Sequence, residues 1–347
     1  MLSDKQLKEI KEKLENCLNP FFFFDNDVDG LCSFLLLRKF CGKGKGIAIK
    51  SSYSLTKHYF KYVEKNKSDC IFVLDKPVID EDFIKLAEEK NIEIMHIDHH
   101  VIAKENKKVK NFYNPREISE TYEPVSDICY RIAKRKEDLW IACAGSVSDA
   151  FVPDFISELK KKNPELMNKN YKTAFDILYN SKLGEIIKIM SLCLRDSEKR
   201  VEELIEFLIN CNNYSALFEE NEKTKHFLSK FNSLNAKYNL LLEKAKKLEK
   251  EKMIFFYYSG EIGLNRDLSN ELMYIYPDKI IVVGFVKNGK ANVSLRWKKD
   301  IRKLGLKAIE GIEGATGGGH ENSIGIQLAA DDLQKFKENL LREIEKL

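Results

Sequence analysis

The sequence predicts an α/β protein with a parallel-sheet domain first, a helical connector next and a smaller α/β domain last. Three observations carry the prediction. From Asn19 to Ala150 short apolar runs alternate with amphipathic stretches, the pattern of parallel strands joined by crossover helices. Between about Phe155 and Lys252 the strand signal disappears, and from Met253 it returns in MIFFYY, KIIVVGFV, ANVSLRW and SIGIQLAA. A length of 347 residues also asks for two cores, at about 150 residues per domain. Boundaries are expected at 1–155, 156–252 and 253–347.

The N-terminal MLSDKQLKEIKEKLE has no apolar signal region and reads as an amphipathic helix. Phe21–Phe24, Gly46–Lys50, Cys70–Leu74, Glu93–Ile97 and Leu139–Ala144 read as buried strands. Ser33–Phe40, Thr56–Glu64 and Glu81–Lys90 read as the helices between them. In the connector, Phe227, Phe231, Leu234, Tyr238, Leu241, Ala245 and Leu248 recur at steps of four and three. That spacing makes one apolar stripe on a long helix. The last domain adds helices at Ser269–Ile275 and Leu333–Leu347.

A composition of 44% apolar and 32% charged residues, with 17 Gly and 7 Pro, excludes disordered, collagen-like and low-complexity chains. The apolar runs Pro20–Phe24 and Leu31–Leu37 are separated by Asp25, Asp27 and Asp29. Both fall short of the ~20 residues that a membrane helix needs, so no membrane partner is expected and the expected compartment is the cytoplasm. The eight cysteines form no C-x-x-C pair and read as buried free thiols. A net charge of +4, from 58 basic and 54 acidic residues, neither requires nor excludes a nucleic-acid partner. Any such partner must be argued from a site.

The first strand ends in Asp25-Asn26-Asp27-Val28-Asp29-Gly30, where three carboxylates crowd into five residues. Unpaired, they would repel one another strongly, so a cation is expected there. The same D-x-D-x-D-G begins a calcium-binding EF-hand, but the twelfth loop position is Leu36 instead of glutamate and a strand precedes it. Ile71-Phe72-Val73-Leu74 ends in Asp75, and Ile94-Met95-His96-Ile97 ends in Asp98-His99-His100. The segment Ile141–Ser148 delivers Asp149 after small residues. Carboxylates thus recur at the carboxyl ends of successive strands, where open α/β sheets bind ligands. Aspartates and histidines together suit manganese, magnesium or zinc, and two such ions sharing an aspartate are a standard solution for phosphate ester hydrolysis.

In order and spacing, Asp25-x-Asp27-x-Asp29-Gly30, Asp75, Asp98-His99-His100 and Asp149 resemble the four motifs of the DHH phosphoesterase superfamily. Gly317-Gly318-Gly319-His320 with Ser323-Ile324-Gly325, and Ser294-Leu295-Arg296, resemble the DHHA1 domain that follows DHH in that superfamily. The D-x-D-x-D-G form and the helical middle are most similar to archaeal RecJ-like exonucleases. The resemblance implies that Asp25, Asp27 and Asp75 serve one metal, while Asp29, Asp75, His99 and Asp149 serve another. Asp75 would bridge two divalent cations, manganese first and magnesium as the alternative. It further implies that Asp98 orients a catalytic histidine, that His99 takes part in catalysis and that His100 contacts the scissile phosphate. His96 reads as an ordinary strand histidine.

Consecutive glycines let backbone N–H groups approach a phosphate, and His320 can add a hydrogen bond. The bland reading of Gly317, Gly318 and Gly319 is a tight turn. Arg296 alternates with Leu295, so it faces away from that apolar neighbour and can clamp a phosphate, with Ser294 and the glycine run holding the nucleotide end. The expected activity is a single-stranded DNA or RNA exonuclease releasing nucleoside monophosphates. The alternatives are a phosphodiesterase for short oligonucleotides, cyclic dinucleotides or 3′-phosphoadenosine phosphate, and a scaffold that binds replication proteins.

Overall fold

The computed structural model describes residues 1–50, 53–102, 108–118, 122–249 and 252–346. Within these the chain divides into two compact units, Met1–Phe231 and Asn232–Leu347.

In the first unit the elements run α1 (Asp4–Asn16), β1 (Pro20–Asp25), α2 (Val28–Cys41), β2 (Lys45–Ile49), β3 (Ser54–Leu55), α3 (Phe60–Asn66), β4 (Cys70–Leu74), β5 (Val78–Ile79) and α4 (Glu81–Glu89). They continue through β6 (Glu93–Ile97), β7 (Asn111–Tyr113), α5 (Val125–Ala133), α6 (Leu139–Ser148), α7 (Ile156–Lys162), α8 (Ala174–Asn180), α9 (Lys182–Cys193) and α10 (Glu198–Asn210). The main sheet has the order β2-β1-β4-β6-β7 with every pair parallel. Its carboxyl ends, Asp25, Leu74 and Ile97, therefore align along one edge.

Four consecutive phenylalanines fit β1 because a parallel sheet is covered on both faces. Phe21 and Phe23 pack in one cluster with Phe60 and Val63 of α3 and Phe83 of α4. On the other face Phe22 and Phe24 meet Phe34 of α2, with ring centroids 5.3 and 4.9 Å apart. α5 and α6 cover α2 in turn, so α2 is buried nearly all round.

The sequence expectation fails at Leu139–Ala144, which is the first part of helix α6 and not a strand. All of α6 from Leu139 to Val147 is buried. A helix enclosed on every side shows no amphipathic period, so a short apolar run looks the same in either state. α11 (Lys225–Lys246) contains the boundary between the units. Phe227, Phe231, Leu234, Tyr238 and Ala245 of the expected stripe are buried, but Leu242 takes the place of Leu241 and Leu248 is exposed. The stripe follows the true helical period of 3.6 and drifts off a strict four-three alternation.

The second unit holds β8 (Met253–Ser259), α12 (Asn265–Ile275), β9 (Ile280–Lys287), β10 (Lys290–Arg296), α13 (Ile301–Ala308), β11 (Thr316–His320), β12 (Ser323–Ala329) and α14 (Leu333–Glu345). Leu347, the expected end of the last helix, lies outside the described residues. The sheet order is β11-β12-β10-β9-β8, antiparallel except for β8 with β9. Val293 and Leu295 face a core shared with Ile301, Leu304, Phe336 and Leu340 of α13 and α14. Ser294 and Arg296 alternate onto the other face, where Asn265 and Asn270 of α12 meet them. All eight cysteines are free thiols, with only Cys41 partly exposed. Among the described residues no helix is long and apolar enough to cross a membrane.

Candidate metal centre

Asp25 closes β1, and the chain turns at once into α2 with Asp27 as its N-cap, the Asp27 carboxylate accepting from Gly30 N at 3.0 Å. Glycine is required at position 30, because a Cβ there would stand 2.5 Å from the Asp25 carbonyl oxygen. That close approach folds the three aspartates back on one another. Asp29 sits in the first turn of α2, where the helix dipole favours a negative charge. Its carboxylate accepts from Val125 N at 2.9 Å, Ser126 N at 3.0 Å and the Ser126 hydroxyl.

Asp75 follows β4 with a left-handed φ of 56°, a conformation that aspartate tolerates better than most residues but still at a cost. Its side chain is 2% exposed and faces His99, with Oδ1 3.1 Å from His99 Nε2. Asp149 is the C-cap of α6 and its Oδ2 lies 3.4 Å from the same nitrogen. A carboxylate at a helix C-terminus is opposed by the dipole, so nothing about helix stability accounts for Asp149. Asp29, His99 and Asp149 place ligand atoms within 4.8 Å of one another, and so do Asp75, His99 and His100.

The electrostatics of this set favour a bound cation. Burial, and then the charges of Asp27, Asp29, Asp149 and Asp25, push the Asp75 carboxyl well above the ordinary 3.8. Burial and Asp149 do the same to Asp29, against the pull of Ser126. His99 is lowered, chiefly by burial. Asp75 Oδ1 and His99 Nδ1 are buried with no hydrogen-bond partner among the described residues. Ligands about 2.1 Å from an octahedral ion and at right angles stand about 3 Å from each other, close to the spacing of His99 Nε2 from Asp75 and Asp149. The set can hold a divalent ion, through two faces of carboxylate oxygen and one imidazole nitrogen.

Asp98 and His100 form a separate hydrogen-bonded pair. His100 Nδ1 donates to Asp98 Oδ1 at 2.8 Å, and His100 N donates to Asp98 Oδ2 at 3.1 Å. Burial alone would raise Asp98, but the bond and charge of His100 outweigh it and the carboxyl is lowered. Burial would lower His100, but Asp98 outweighs it and the imidazole is raised. His100 is 42% exposed in its side chain, so a protonated ring can reach a bound phosphate. Asn114 Nδ2 donates to His100 O at 3.0 Å and Arg116 Nε to His99 O at 2.8 Å, fixing the backbone of both histidines. His96, by contrast, is buried beside Phe112, with Nε2 donating to Lys76 O at 2.6 Å.

The structure does not draw Asp25 and Asp27 into a ligand-sized group with Asp75. Lys76 Nζ donates to Asp25 Oδ1 at 2.6 Å instead. The sequence reading also missed Tyr122, whose hydroxyl bonds the Asp149 carboxylate and whose ring lies 5.0 Å from that of His99, and Ser126 on Asp29. None of these belongs to a short motif, so no local signal marks them.

In the second unit the glycine run is not a turn but the exposed edge strand β11. A groove of about 440 Å³ is lined by Asn265, Asn292, Val293, Ser294, Thr316, Gly317, Gly318, Gly325, Ile326 and Gln327. It brings Ser294, Gly317 and Gly318 together, while Arg296, Gly319 and His320 are not in its lining. Arg296 is 8% exposed, and its guanidinium donates to Asn270 Oδ1 at 2.7 Å and to Leu295 O at 2.8 Å. α12 covers that face, and its Asn270 engages the guanidinium there.

The family model of the DHH family, N-terminal domain, matches residues 21–173, and that of the DHHA1 domain matches residues 239–346. No curated protein matches the sequence significantly. Among solved structures, an exonuclease RecJ bound to manganese matches with TM-score 0.65 and 16% identity, over 98% of this chain and 94% of that one. RecJ in complex with Mn2+ from Thermus thermophilus matches with TM-score 0.66 and 15% identity, over 100% of this chain but 55% of that one. A pGpG-specific phosphodiesterase, PggH, from Vibrio cholerae matches with TM-score 0.52 and 14% identity, over 94% and 99%. At these identities the likeness is one of fold.

Proposed function

Since the chain belongs to the DHH family and carries a DHHA1 domain after it, we propose that it is a metal-dependent phosphodiesterase that removes nucleoside monophosphates from the end of single-stranded DNA or RNA. The observation that carries this reading is the buried Asp75 Oδ1, without a hydrogen-bond partner among the described residues and 3.1 Å from His99 Nε2, at a histidine that also groups with Asp29 and Asp149. Asp29, Asp75, His99 and Asp149 would hold divalent metal, which when bound would supply polarisation of a phosphoryl oxygen and hydroxide from water at neutral pH. Manganese is the first candidate and magnesium the second, since the donors are mainly carboxylate oxygens.

The chain's own groups do the rest. Val125 N, Ser126 N and the Ser126 hydroxyl hold Asp29, while the Tyr122 hydroxyl holds Asp149. Such outer bonds orient ligands and tune their basicity. Asp98 accepts a hydrogen bond from His100 Nδ1–H and favours the imidazolium, whose Nε2–H would donate to a phosphate oxygen. In the second unit Ser294, Asn265 and the backbone of Gly317 and Gly318 offer neutral hydrogen-bonding groups to a nucleotide.

That groove favours a second reading as well. None of its lining residues is aromatic or charged, whereas proteins that track long single strands combine stacking rings with a basic channel. A phosphodiesterase of short oligonucleotides needs only the groove. Labelled single strands of DNA and RNA in a length series, with manganese, test both: monophosphate release from long strands supports the exonuclease, cleavage confined to the shortest supports the second reading, and no cleavage of any strand rejects both.

A further inference from the structure

Two of the eight cysteines stand together at the amino-terminal edge of the parallel sheet. Cys17 is the C-cap of α1, its backbone N–H donating to Lys13 O at 3.0 Å, and Cys70 opens β4 beside Pro20 of β1. The two segments are pinned to each other by Asp69, whose carboxylate accepts from Leu18 N at 2.6 Å and Asn19 N at 2.8 Å. Across this clamp the Cys70 thiol donates a hydrogen bond to the Cys17 sulfur. Cys17 is 5% exposed and Cys70 fully buried, but Leu18 beside them is 83% exposed, so the pair lies just under the surface.

That contact sets the pair apart from the other six. Burial pushes up the thiols of Cys32, Cys41, Cys129, Cys143, Cys193 and Cys211, which leaves them inert packing groups. At Cys17 the bond from Cys70 outweighs burial, and Lys13 and Lys43 pull the same way, so its thiol lies below the ordinary 9.0. Cys70 is held up, first by that same bond and then by burial, and keeps its proton. An acidified thiol next to a second thiol that can resolve its oxidised form is the arrangement of redox-sensitive cysteines.

We propose that Cys17 and Cys70 are a peroxide-reactive dithiol, and that their disulfide ties the end of α1 to the start of β4. The inference is independent of the phosphodiesterase reading. The Cys17 thiolate attacks one oxygen of hydrogen peroxide and the O–O bond breaks, leaving a sulfenic acid on Cys17 and a hydroxide that takes up a proton and departs as water. Cys70 then gives up its proton and attacks the Cys17 sulfur. The S–S bond forms, the S–O bond breaks, and the departing hydroxide leaves with that proton as a second water. Two thiols and one peroxide thus give one disulfide and two waters, the sulfurs being oxidised and the peroxide oxygens reduced. Sulfurs already in hydrogen-bond contact have a short way to close to the ~2.05 Å of a disulfide. Asp75 lies at the far end of β4, roughly 16 Å along the strand from Cys70, so the cross-link acts on the stability of the first unit and leaves the acidic centre as it is.

The test treats the full chain with hydrogen peroxide, unfolds it in an alkylating agent and maps its peptides by mass spectrometry, with reduced protein alongside. All eight cysteines should be alkylated in the reduced protein and all but Cys17 and Cys70 in the oxidised one, which should yield a single linked peptide pair joining those two. Dithiothreitol should restore both thiols. The oxidised protein should melt about 4–8 °C higher than the reduced one, because the bond restricts the unfolded chain between residues 17 and 70. Cys17→Ser should lose no thiol to peroxide, and Cys70→Ser should carry a dimedone adduct on Cys17, whose sulfenic acid then has no partner. Oxidised wild type in which Cys17 and Cys70 are still alkylated, a linked pair that lacks either of them, or an unchanged Tm in the cross-linked protein would overturn the inference. The wild-type map decides by itself if either variant fails to fold, and loss of the phosphodiesterase reading would leave the result untouched.

Discussion

The parallel sheet ends its strands in charge, with Asp25 on β1, Asp75 after β4 and the Asp98-His99-His100 run after β6. The mixed sheet of the second unit offers neutral groups at its groove, with Ser294 bonded to Asn265 and Gly317 and Gly318 on an open edge. Among the described residues Asp75 Oδ1 of the first sheet is buried without a hydrogen-bond partner, whereas the buried guanidinium of Arg296 in the second is engaged by Asn270 and Leu295. An arrangement that buries several carboxylates together is costly without a counter-charge. One that presents hydroxyls, amides and backbone N–H groups is stable as it stands and can accept a ligand without reorganising. Under the proposed function the first sheet would carry the chemistry and the second the recognition.

The largest effect that would sharpen this contrast is expected from Asp75→Ala. Hydrolysis should fall by at least ~10³-fold, because this carboxylate faces His99 from the interior of the set. In the metal-free protein at neutral pH the loss of a carboxyl that prefers to be protonated offsets the cost of alanine at a left-handed φ, so the fold should survive. Retained activity with bound manganese would break the assignment.

Gly319→Ala comes next and acts on the other sheet. Gly319 has φ 150° and an added Cβ would meet the Ser323 carbonyl oxygen at 2.3 Å, so a loss of about 2–4 kcal/mol in stability is expected from backbone strain and clash. Gly318→Ala, with nothing within 4 Å, is the neutral control. Manganese affinity should be unchanged in both, and a shift in either would contradict the division between the sheets. His320→Ala, on exposed β11, should lower kcat/KM by roughly tenfold with unchanged manganese affinity, the behaviour of a group that positions a phosphate.

The smallest effect is one of pH. In metal-free protein Asp29 and Asp75 are raised above 3.8, so the folded state holds protons that the unfolded chain has released. Their contribution to stability is full below 3.8 and is lost as pH rises through the raised values. Manganese should therefore raise the Tm of chelated protein most near neutral pH, and less as pH falls. A stabilisation independent of pH would mean that these carboxyls are not the ligands.

Much of this was legible in the sequence because it depends on local order. Phe21–Phe24 reads as a strand covered on both faces because four β-prone aromatics in a row suit a doubly covered sheet, and Asp25-x-Asp27-x-Asp29-Gly30 needs no distant residue to declare its charge. The helix α6 was not legible, because an enclosed helix has no polar face to set its period. Lys76 was not, because its partnership with Asp25 follows from one left-handed residue. The burial of Arg296 depends on α12 covering a face that alternation alone leaves open. Tyr122 and Ser126 reach Asp149 and Asp29 across gaps in sequence that no motif spans.

The most direct test of the assignment is release of nucleoside monophosphate from an end-labelled single strand before chelation, after exhaustive chelation and after manganese is restored. The account predicts release that stops on chelation and returns with manganese, while Asp75→Ala gives none under any of the three conditions. Release that continues undiminished in the chelated wild-type protein would contradict it.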